Sequence, residues 1–231
     1  MILRTLALVL SLAASTGAAA QDRLKVAIGQ IDAWANQMPT LGMQAGIFQK
    51  HGIMLENFGT QGAGETLQAV ISGSADIGIG IGTSGAMRAF TRGAPIRVLA
   101  AAYAGTGDQY WYVKPDSPLK TLADATDKHT MSYSTNGATS HAIALAFGKQ
   151  LGIKAKPIAT GGPPATYTMT MSGQVDIGWG VKPFGLKEYR EGKFRIIARG
   201  SDVPSMRNQT MRVQVVNLNA CLLYTSPSPR D

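Results

Sequence analysis

Four short segments of this chain place hydroxyl, amide, carboxyl and indole groups directly after a predicted strand. In open α/β sheets, ligands bind beyond the carboxyl ends of the strands, where the following helices begin. Free backbone N–H groups and the positive end of a helix dipole suit an anionic head group at such places. The sequence therefore predicts a small-molecule site, and its candidate ligand-binding residues are Gln30, Asp32, Trp34, Gly82, Thr83, Ser84, Asn136, Gly137, Ala138, Thr139 and Trp179.

Several of these residues also have a structural interpretation. Thr83, Ser84 and Thr139 lie where N-capping hydroxyls are common, so each would serve only its own helix. Trp34 and Trp179 would wall the cleft against an apolar ligand body, or would pack in a core or hinge. None of the four segments contains an arginine. That lack disfavours an amino-acid or dicarboxylate ligand, because bidentate binding of a carboxylate favours arginine.

Other patterns in the chain are typical of enzymes, but their context argues against catalysis. Asp76 and Asp176 form a candidate carboxylate pair, yet each begins a predicted strand opposite the ligand end, which favours hydrogen bonds to turn backbone. Residues 80–85 match the dinucleotide pattern G-x-G-x-x-G, yet the acidic residue expected about 20 positions later is missing. The histidines lack metal-ligand spacing, and no Ser/His/Asp arrangement has local support. We therefore expect no cofactor, no metal site and no enzymatic activity.

The chain repeats one pattern at an offset of 100 residues. Residues 72–80 read S-G-S-A-D-I-G-I-G, and residues 172–180 read S-G-Q-V-D-I-G-W-G. The same offset relates Thr60 to Thr160. Each copy has the pattern of a strand, a glycine-rich turn, a helix and a second strand. Two similar α/β lobes on one chain would leave a cleft between them, and small ligands commonly bind in such clefts.

Predicted strands and helices alternate along both copies. The predicted strands lie at residues 24–29, 54–58, 76–81, 96–102, 109–114, 129–134, 156–159, 175–180, 194–198 and 209–216. Helical spacing of apolar residues predicts, among others, long helices at residues 34–51 and 141–151. This alternation predicts an α/β fold with two lobes and mostly parallel sheets.

The two ends of the chain differ from the rest. Residues 1–20 combine Arg4, a short apolar run and an A-A-A cleavage site, which is typical of a cleavable secretory signal peptide. The run is shorter than the ~20 residues that span a bilayer, so we expect a mature protein free in the periplasm. Residues 221–231 read C-L-L-Y-T-S-P-S-P-R-D, which matches a translated sequencing adapter; the alternative is a natural disordered tail. We expect residue 220 to be the last native position.

Composition limits the classes of partner. The chain has 22 Lys and Arg against 14 Asp and Glu, a net charge of +8. These charges are scattered, which indicates a solvated surface, and the predicted export argues against nucleic acid as a partner. The single cysteine, Cys221, lies in the adapter-like tail. The rest of the chain therefore offers no disulfide, thiolate metal site or cysteine nucleophile.

Four motifs, taken in order, give the chain a family resemblance. They are G-I-F…H-G-I at 46–53, G-S-A-D-I-G at 73–78, N-G-A-T-S-H at 136–141 and S-G-Q-V-D-I-G at 172–178. Together they resemble the periplasmic solute-binding proteins of ABC importers, in particular the nitrate/sulfonate/taurine-type receptors. These receptors share their fold with thiamine-precursor synthases, which depend on a cysteine-rich motif that this sequence lacks.

The resemblance implies a type II periplasmic-binding-protein fold whose lobes close by a hinge on a small, anionic solute. It implies a first lobe at 21–106, a second lobe at 107–206 and a strand at 207–220 that returns to the first lobe, with further helices missing. It also implies a monomer that delivers its ligand to a transmembrane ABC permease with a cytoplasmic ATPase. The alternatives are a cleft enzyme or thiamine-precursor-type binding protein of this fold, and the effector domain of a transcription regulator.

Overall fold

The computed structural model of this protein describes residues 22–220. The predicted signal peptide at residues 1–20 and the adapter-like tail at residues 221–231 lie outside the described residues. Within the described part, no helix has both the length and the apolar character that crossing a membrane requires.

Ten strands and seven α-helices are defined between residues 22 and 220. The strands are β1 (Asp22–Gly29), β2 (Ile53–Thr60), β3 (Ile77–Gly82), β4 (Ile96–Ala104), β5 (Gln109–Val113), β6 (Thr130–Tyr133), β7 (Lys156–Ala159), β8 (Gly178–Val181), β9 (Arg195–Arg199) and β10 (Thr210–Asn217). The helices are α1 (Met38–Gln44), α2 (Ile47–Lys50), α3 (Ala63–Ile71), α4 (Thr83–Thr91), α5 (Thr139–Leu151), α6 (Pro163–Met171) and α7 (Leu186–Arg190).

The first lobe is built on a five-stranded sheet with the order β2-β1-β3-β10-β4. β1 pairs in parallel with β2 and β3, whereas β10 pairs antiparallel with β3 and β4. The last strand of the described chain is therefore inserted between two early strands. β10 lies beside β3. Side chains of β10 are therefore near the carboxyl end of β3, where the predicted site begins.

The second lobe contains a three-stranded sheet, β8-β5-β9, and the parallel pair β6-β7. β5 is antiparallel to both of its neighbours. An isolated parallel bridge from Met131 to Ile177 connects β6 to the segment that leads into β8. The α/β class is thus confirmed, but the sheets are only partly parallel. The antiparallel pairs all involve β5 or β10, the two strands that follow a crossing from one lobe to the other.

The 100-residue repeat is confirmed at the level of individual hydrogen bonds. The hydroxyls of Thr60 and Thr66 lie 2.7 Å apart in the first lobe, and those of Thr160 and Thr166 lie 2.6 Å apart in the second. In each lobe the later threonine also donates to the carbonyl of the glycine four residues earlier, at 3.1 Å. The same local device therefore joins a strand to the following helix in both lobes.

The two repeated aspartates have the predicted structural role. The backbone N–H of Lys25 donates to Asp76 Oδ2 at 2.7 Å, and the backbone N–H of Thr130 donates to Asp176 Oδ2 at 2.8 Å. The Thr130 hydroxyl also donates to Asp176 Oδ2, at 2.9 Å. Each carboxylate thus binds the backbone of a neighbouring strand, near the point where the strand that follows the aspartate begins.

The prediction of one continuous helix at residues 34–51 is wrong. A 3₁₀ turn at Trp34–Asn36 is followed by α1 and then by α2. Gly46 separates the two α-helices with a left-handed backbone, φ +67°, a conformation that commonly ends a helix. The spacing of apolar residues is preserved across these breaks, which is why periodicity alone predicted one helix.

Candidate ligand-binding site

Two adjoining spaces lie between the lobes. The larger, which we call the outer cleft, has a volume of about 400 Å³ and is lined by residues that include Asp32, Ile31, Pro163, Pro164, Pro183 and Phe184. The smaller, which we call the inner chamber, has a volume of about 20 Å³ and is lined by residues that include Asn36, Gln109, Ser134, Ser140, Trp179 and Arg212. Gln30, Ala33 and Val181 line both spaces. A ligand with a compact polar end and an apolar body would match this pair of spaces.

Glycines bring the two lobes into close contact beside the inner chamber. A Cβ atom on Gly82 or Gly85 would come within 2.6 Å of the Gly137 carbonyl oxygen on the opposite lobe. Gly64 lies equally close to the Asn136 carbonyl oxygen, 2.5 Å from where its Cβ would be. Real Cβ atoms do not approach other atoms so closely, so glycine is required for this contact. The predicted turn after β3 and the turn that precedes α5 therefore touch each other in this conformation.

The two threonines of these turns bond to β10. Thr83 Oγ1 donates to the Thr210 carbonyl at 2.7 Å, and Thr139 Oγ1 donates to the Met211 carbonyl at 3.0 Å. Neither acts as the N-cap of its helix, because Gly82 and Ala138 occupy those positions. Ser84 lies exposed on the first turn of α4. The hydroxyls of Thr83 and Thr139 thus join both lobes to the strand that carries Arg212.

The side chains of residues 30–34, which follow β1, lie on different surfaces of the protein. Gln30 has a left-handed backbone, φ 47°, and its amide donates to the Gln61 carbonyl at 2.8 Å beside both spaces. Asp32 is exposed at the outer cleft. Trp34 is 65% exposed and lines a separate groove with Lys182 and Phe184. Of the two candidate tryptophans, only Trp179 therefore lines the inner chamber, where it is 2% exposed.

Arg212 and Asp108 form a buried ion pair that the sequence analysis missed. Arg212 Nη2 lies 2.6 Å from Asp108 Oδ1 and 2.7 Å from Oδ2, and their side chains are 6% and 9% exposed. The guanidinium carbon lies 4.6 Å from the centre of the Tyr103 ring. These contacts hold Arg212 in place and leave its Nε–H without a partner among the described residues.

The sequence contains one weak indication that Arg212 is functional, which is its position within an otherwise apolar strand. β10 is buried on both faces from Met211 to Val215, so a charged residue within it must have a specific partner. The sequence prediction placed ligand-binding residues only in segments that directly follow a strand. Arg212 lies in the middle of a strand, so a prediction restricted to the ends of strands does not include it.

Four residues that line the inner chamber each have a buried polar atom without a hydrogen-bond partner among residues 22–220. The atoms are Arg212 Nε, Trp179 Nε1, Asn36 Oδ1 and Gln109 Oε1. A buried polar atom without a partner costs roughly 1–3 kcal/mol. A ligand or water that supplies these partners would therefore be stabilised at this position.

His141 supports the turn that closes against the first lobe. The Gly137 backbone N–H donates to His141 Nδ1 at 3.2 Å, and the imidazole stacks on Tyr133 with ring centres 4.4 Å apart. Burial lowers the pKa of His141 below its ordinary value of 6.5, and the nearby Arg88 cation lowers it further. The neutral imidazole is therefore the form that accepts the Gly137 hydrogen bond.

Comparison with solved structures shows a shared fold at low sequence identity. The periplasmic aliphatic sulphonate binding protein SsuA from Escherichia coli is 21% identical with a TM-score of 0.66, and the match covers 87% of this chain and 63% of that protein. The alkanesulfonate-binding protein SsuA from Xanthomonas axonopodis pv. citri, bound to MOPS, is 18% identical with a TM-score of 0.73. That match covers 89% of this chain and 69% of that protein. PhnD1 from Prochlorococcus marinus (MIT 9301), in complex with methylphosphonate, is 13% identical with a TM-score of 0.63. That match covers 89% of this chain and 80% of that protein.

This chain therefore has the two-lobed α/β fold of periplasmic binding proteins, and it spans 63% of the length of the Escherichia coli structure. No curated protein gives a significant match to the sequence. A family model described as NMT1/THI5 like matches residues 40–221, which is most of the chain. The chain belongs to the NMT1/THI5-like family.

Proposed function

We propose that this protein is the substrate-binding component of an ABC importer and that it captures a small, anionic solute in the periplasm. The observation that carries the proposal is the outer cleft of about 400 Å³ between two lobes, which adjoins a chamber containing a buried arginine N–H. Family membership and the fold likeness to sulphonate-binding proteins support it. Sulfonate-, nitrate- and taurine-like solutes are the classes we propose.

Hinge closure is the proposed mechanism of capture. The chain leaves the first sheet after β4 and returns to it through β10, and the Gly105 N–H donates to the Gln209 carbonyl at 2.8 Å where these crossings meet. A solute that contacts both lobes would stabilise the closed state relative to the open one. The closed receptor, acting as a monomer, would then deliver the solute to a transmembrane permease driven by a cytoplasmic ATPase.

The alternative, a cleft enzyme or a thiamine-precursor-type protein, has less support in the site. The hydroxyls of Ser134 and Ser140 lie 2.9 Å apart and bond to each other. Nδ1 of His141 accepts the Gly137 N–H and is not directed at a hydroxyl nucleophile. Nucleophilic catalysis requires a base within hydrogen-bond reach of the nucleophile. We therefore propose binding without chemical conversion.

Unbiased ligand capture tests the receptor proposal. The purified protein would be dialysed against a bacterial small-molecule extract, and mass spectrometry would identify the compounds retained. We expect retention of a small acid that also raises the melting temperature of the protein, since a ligand that binds only the folded state stabilises it.

A pair of tryptophan variants locates the bound compound. Pro164→Trp would fill the outer cleft, whereas Pro115→Trp places the same side chain on an exposed turn away from it. We expect only Pro164→Trp to lose the retained compound. Failure of the wild-type protein to retain any small molecule, or equal retention by both variants, would contradict the proposal.

A further inference from the structure

A single turn of the second lobe, which we call the contact turn (residues 135–138), lies against the first lobe. The Gly64 N–H donates to the Thr135 hydroxyl at 2.9 Å. The Asn136 carbonyl oxygen lies 2.5 Å from where a Cβ atom of Gly64 would be, and the Gly137 carbonyl oxygen lies against the first turn of α4 in the same way. Three consecutive residues therefore touch the first lobe, so the fit between the lobes depends on the conformation of this turn.

One peptide unit of the contact turn is shared between the first lobe and His141. A peptide unit is planar, so its N–H and its C=O rotate together. In the unit that joins Asn136 to Gly137, the N–H donates to His141 Nδ1 at 3.2 Å, and the C=O is the one that lies against Gly64. The orientation of this carbonyl therefore depends on a hydrogen-bond acceptor at His141 Nδ1.

The groups that face the imidazole come from both lobes. The Tyr133 ring on β6 stacks on it, with centres 4.4 Å apart, and the Tyr133 hydroxyl donates to Asn136 Oδ1 at 2.8 Å. Burial lowers the pKa of His141, and so does the cation of Arg88, which lies on α4 of the first lobe. Arg92 follows α4 and lines the groove beside the contact turn. No acidic side chain among the described residues lines this groove, so the arginines dominate its charge.

Protonation of His141 removes an acceptor and adds a charge. The protonated imidazole carries an N–H on both ring nitrogens, so Nδ1 can no longer accept the Gly137 N–H. Two N–H groups would then face each other across 3.2 Å, and the peptide unit would have to rotate. That rotation moves the carbonyl that lies against Gly64. The new charge would also face Arg88 across the boundary between the lobes, so both effects oppose the closed arrangement.

We propose that His141 is a pH-dependent switch of closure, whose neutral imidazole keeps the lobes together and whose protonation in mildly acidic solution separates them. The closed state places the imidazole near Arg88 and needs its acceptor, so it takes up the proton less readily than the open state. Acid therefore shifts the equilibrium towards the open state, and a captured solute would be released. This inference rests on the proposed function and adds regulation to the same site.

The distance between two spin labels, one on each lobe, tests the switch. Cys221→Ser removes the only cysteine, and Gln68→Cys on α3 with Ala165→Cys on α6 provides two exposed labelling positions. Double electron–electron resonance would be recorded on the full chain in the bacterial small-molecule extract, at about pH 7.5 and about pH 5. We expect a short distance to predominate at the higher pH, and its population to fall about threefold or more at the lower pH.

Three variants assign the effect to His141. His141→Gln keeps an acceptor for the Gly137 N–H but does not titrate, so it should keep the short distance at both pH values. Its matched control, His51→Gln at an exposed position, should open in acid as the wild-type protein does. Arg88→Met leaves the imidazole intact and removes the opposing charge, so it should open in acid to a smaller extent.

Each contrary result has a separate meaning. A wild-type protein with the same distances at both pH values would overturn the switch, while the receptor proposal would stand. Equal opening of the wild-type protein and His141→Gln would also overturn it, because another group on the protein or on the solute would then respond to acid. A protein that shows no short distance in the extract at about pH 7.5 would contradict the proposed closure itself, and the switch with it.

Discussion

Arg212 combines a buried ion pair with an N–H group that has no partner among residues 22–220. Its Nη2 atom pairs with Asp108 and its face packs on Tyr103, and the residue also lines the inner chamber. A buried ion pair adds little net stability, because desolvation of both charges offsets their attraction. We therefore propose that Arg212 contributes more to ligand binding than to the stability of the fold.

Breaking this pair on one side should destabilise the protein. We expect Arg212→Met to lower the free energy of unfolding by about 3–5 kcal/mol, because it leaves the Asp108 carboxylate buried without a partner. Urea denaturation would measure the loss. The double variant Arg212→Met with Asp108→Leu should regain most of it, since no charge is then buried. A double variant as unstable as the single one would contradict this account of the pair.

His141 should make the stability of the protein depend on pH. Its pKa in the folded state is lower than its ordinary value of 6.5, chiefly because the ring is partly buried. The unfolded chain therefore takes up the proton more readily than the folded one. The stabilising contribution of the neutral ring is complete above pH 6.5, and it is lost as the pH falls below 6.5 towards the lowered pKa.

The His141→Gln variant tests this pH dependence, because glutamine can accept the Gly137 N–H without titrating. Between about pH 7.5 and about pH 5.5, the unfolding free energy should fall more for the wild-type protein than for His141→Gln. His51→Gln, at an exposed position, is the matched control and should keep the wild-type slope. Equal slopes for wild type and His141→Gln would show that another group controls this range.

At the scale of elements, the two lobes use the same strand-to-helix connection. Thr66 and Thr166 are fully buried, each in the helix that follows the glycine-rich turn of its lobe. Each hydroxyl bonds both to a threonine at the end of the preceding strand and to a glycine carbonyl. These bonds fix α3 and α6 to the end of the strand that precedes each helix.

Removing this connection should have the same cost in either lobe. Thr66→Val and Thr166→Val keep the side-chain shape, so each should lower the unfolding free energy by roughly 1–2 kcal/mol through the lost hydrogen bonds. The two hydroxyls bond to different partners, so we expect their effects to add within about 0.5 kcal/mol. Thr168→Val, at an exposed position of α6, should change stability by less than about 0.5 kcal/mol. A large cost in one lobe and none in the other would show that the repeats are not energetically equivalent.

The sequence predicts the elements better than it predicts the site. The repeat, the roles of Asp76 and Asp176, and the strand at residues 209–216 follow from local patterns, and the structure confirms them. The Arg212–Asp108 pair joins positions 104 residues apart, and no local pattern encodes that contact. The exposure of Trp34 depends equally on how the chain folds over the second lobe.

At the scale of the whole molecule, the proposed closure would depend on backbone contact between the lobes. Gly82 and Gly85 allow an approach of the Gly137 carbonyl oxygen that a Cβ atom at either position would prevent. The contact lies beside the inner chamber. In the proposed closure, it would limit how tightly the lobes enclose a ligand.

The Gly85→Ala variant should hold the lobes apart. Its new Cβ would lie 2.6 Å from the Gly137 carbonyl oxygen, too close for the contact to survive. We expect a larger radius of gyration by small-angle X-ray scattering in the presence of ligand, and weaker solute binding. The matched control is Gly148→Ala, another glycine within a helix, whose Cβ would have its nearest neighbour, the Ile153 carbonyl oxygen, at 3.4 Å.

Both alanine variants should stabilise their helix, but only one of them should oppose closure of the lobes. Alanine is favoured over glycine within a helix by about 1 kcal/mol, so both changes should help α4 or α5 to form. Only Gly85→Ala also opposes closure. If Gly85→Ala binds solute as tightly as Gly148→Ala and scatters identically, then the bound state does not use this contact. Closure would then have to bring a different pair of surfaces together.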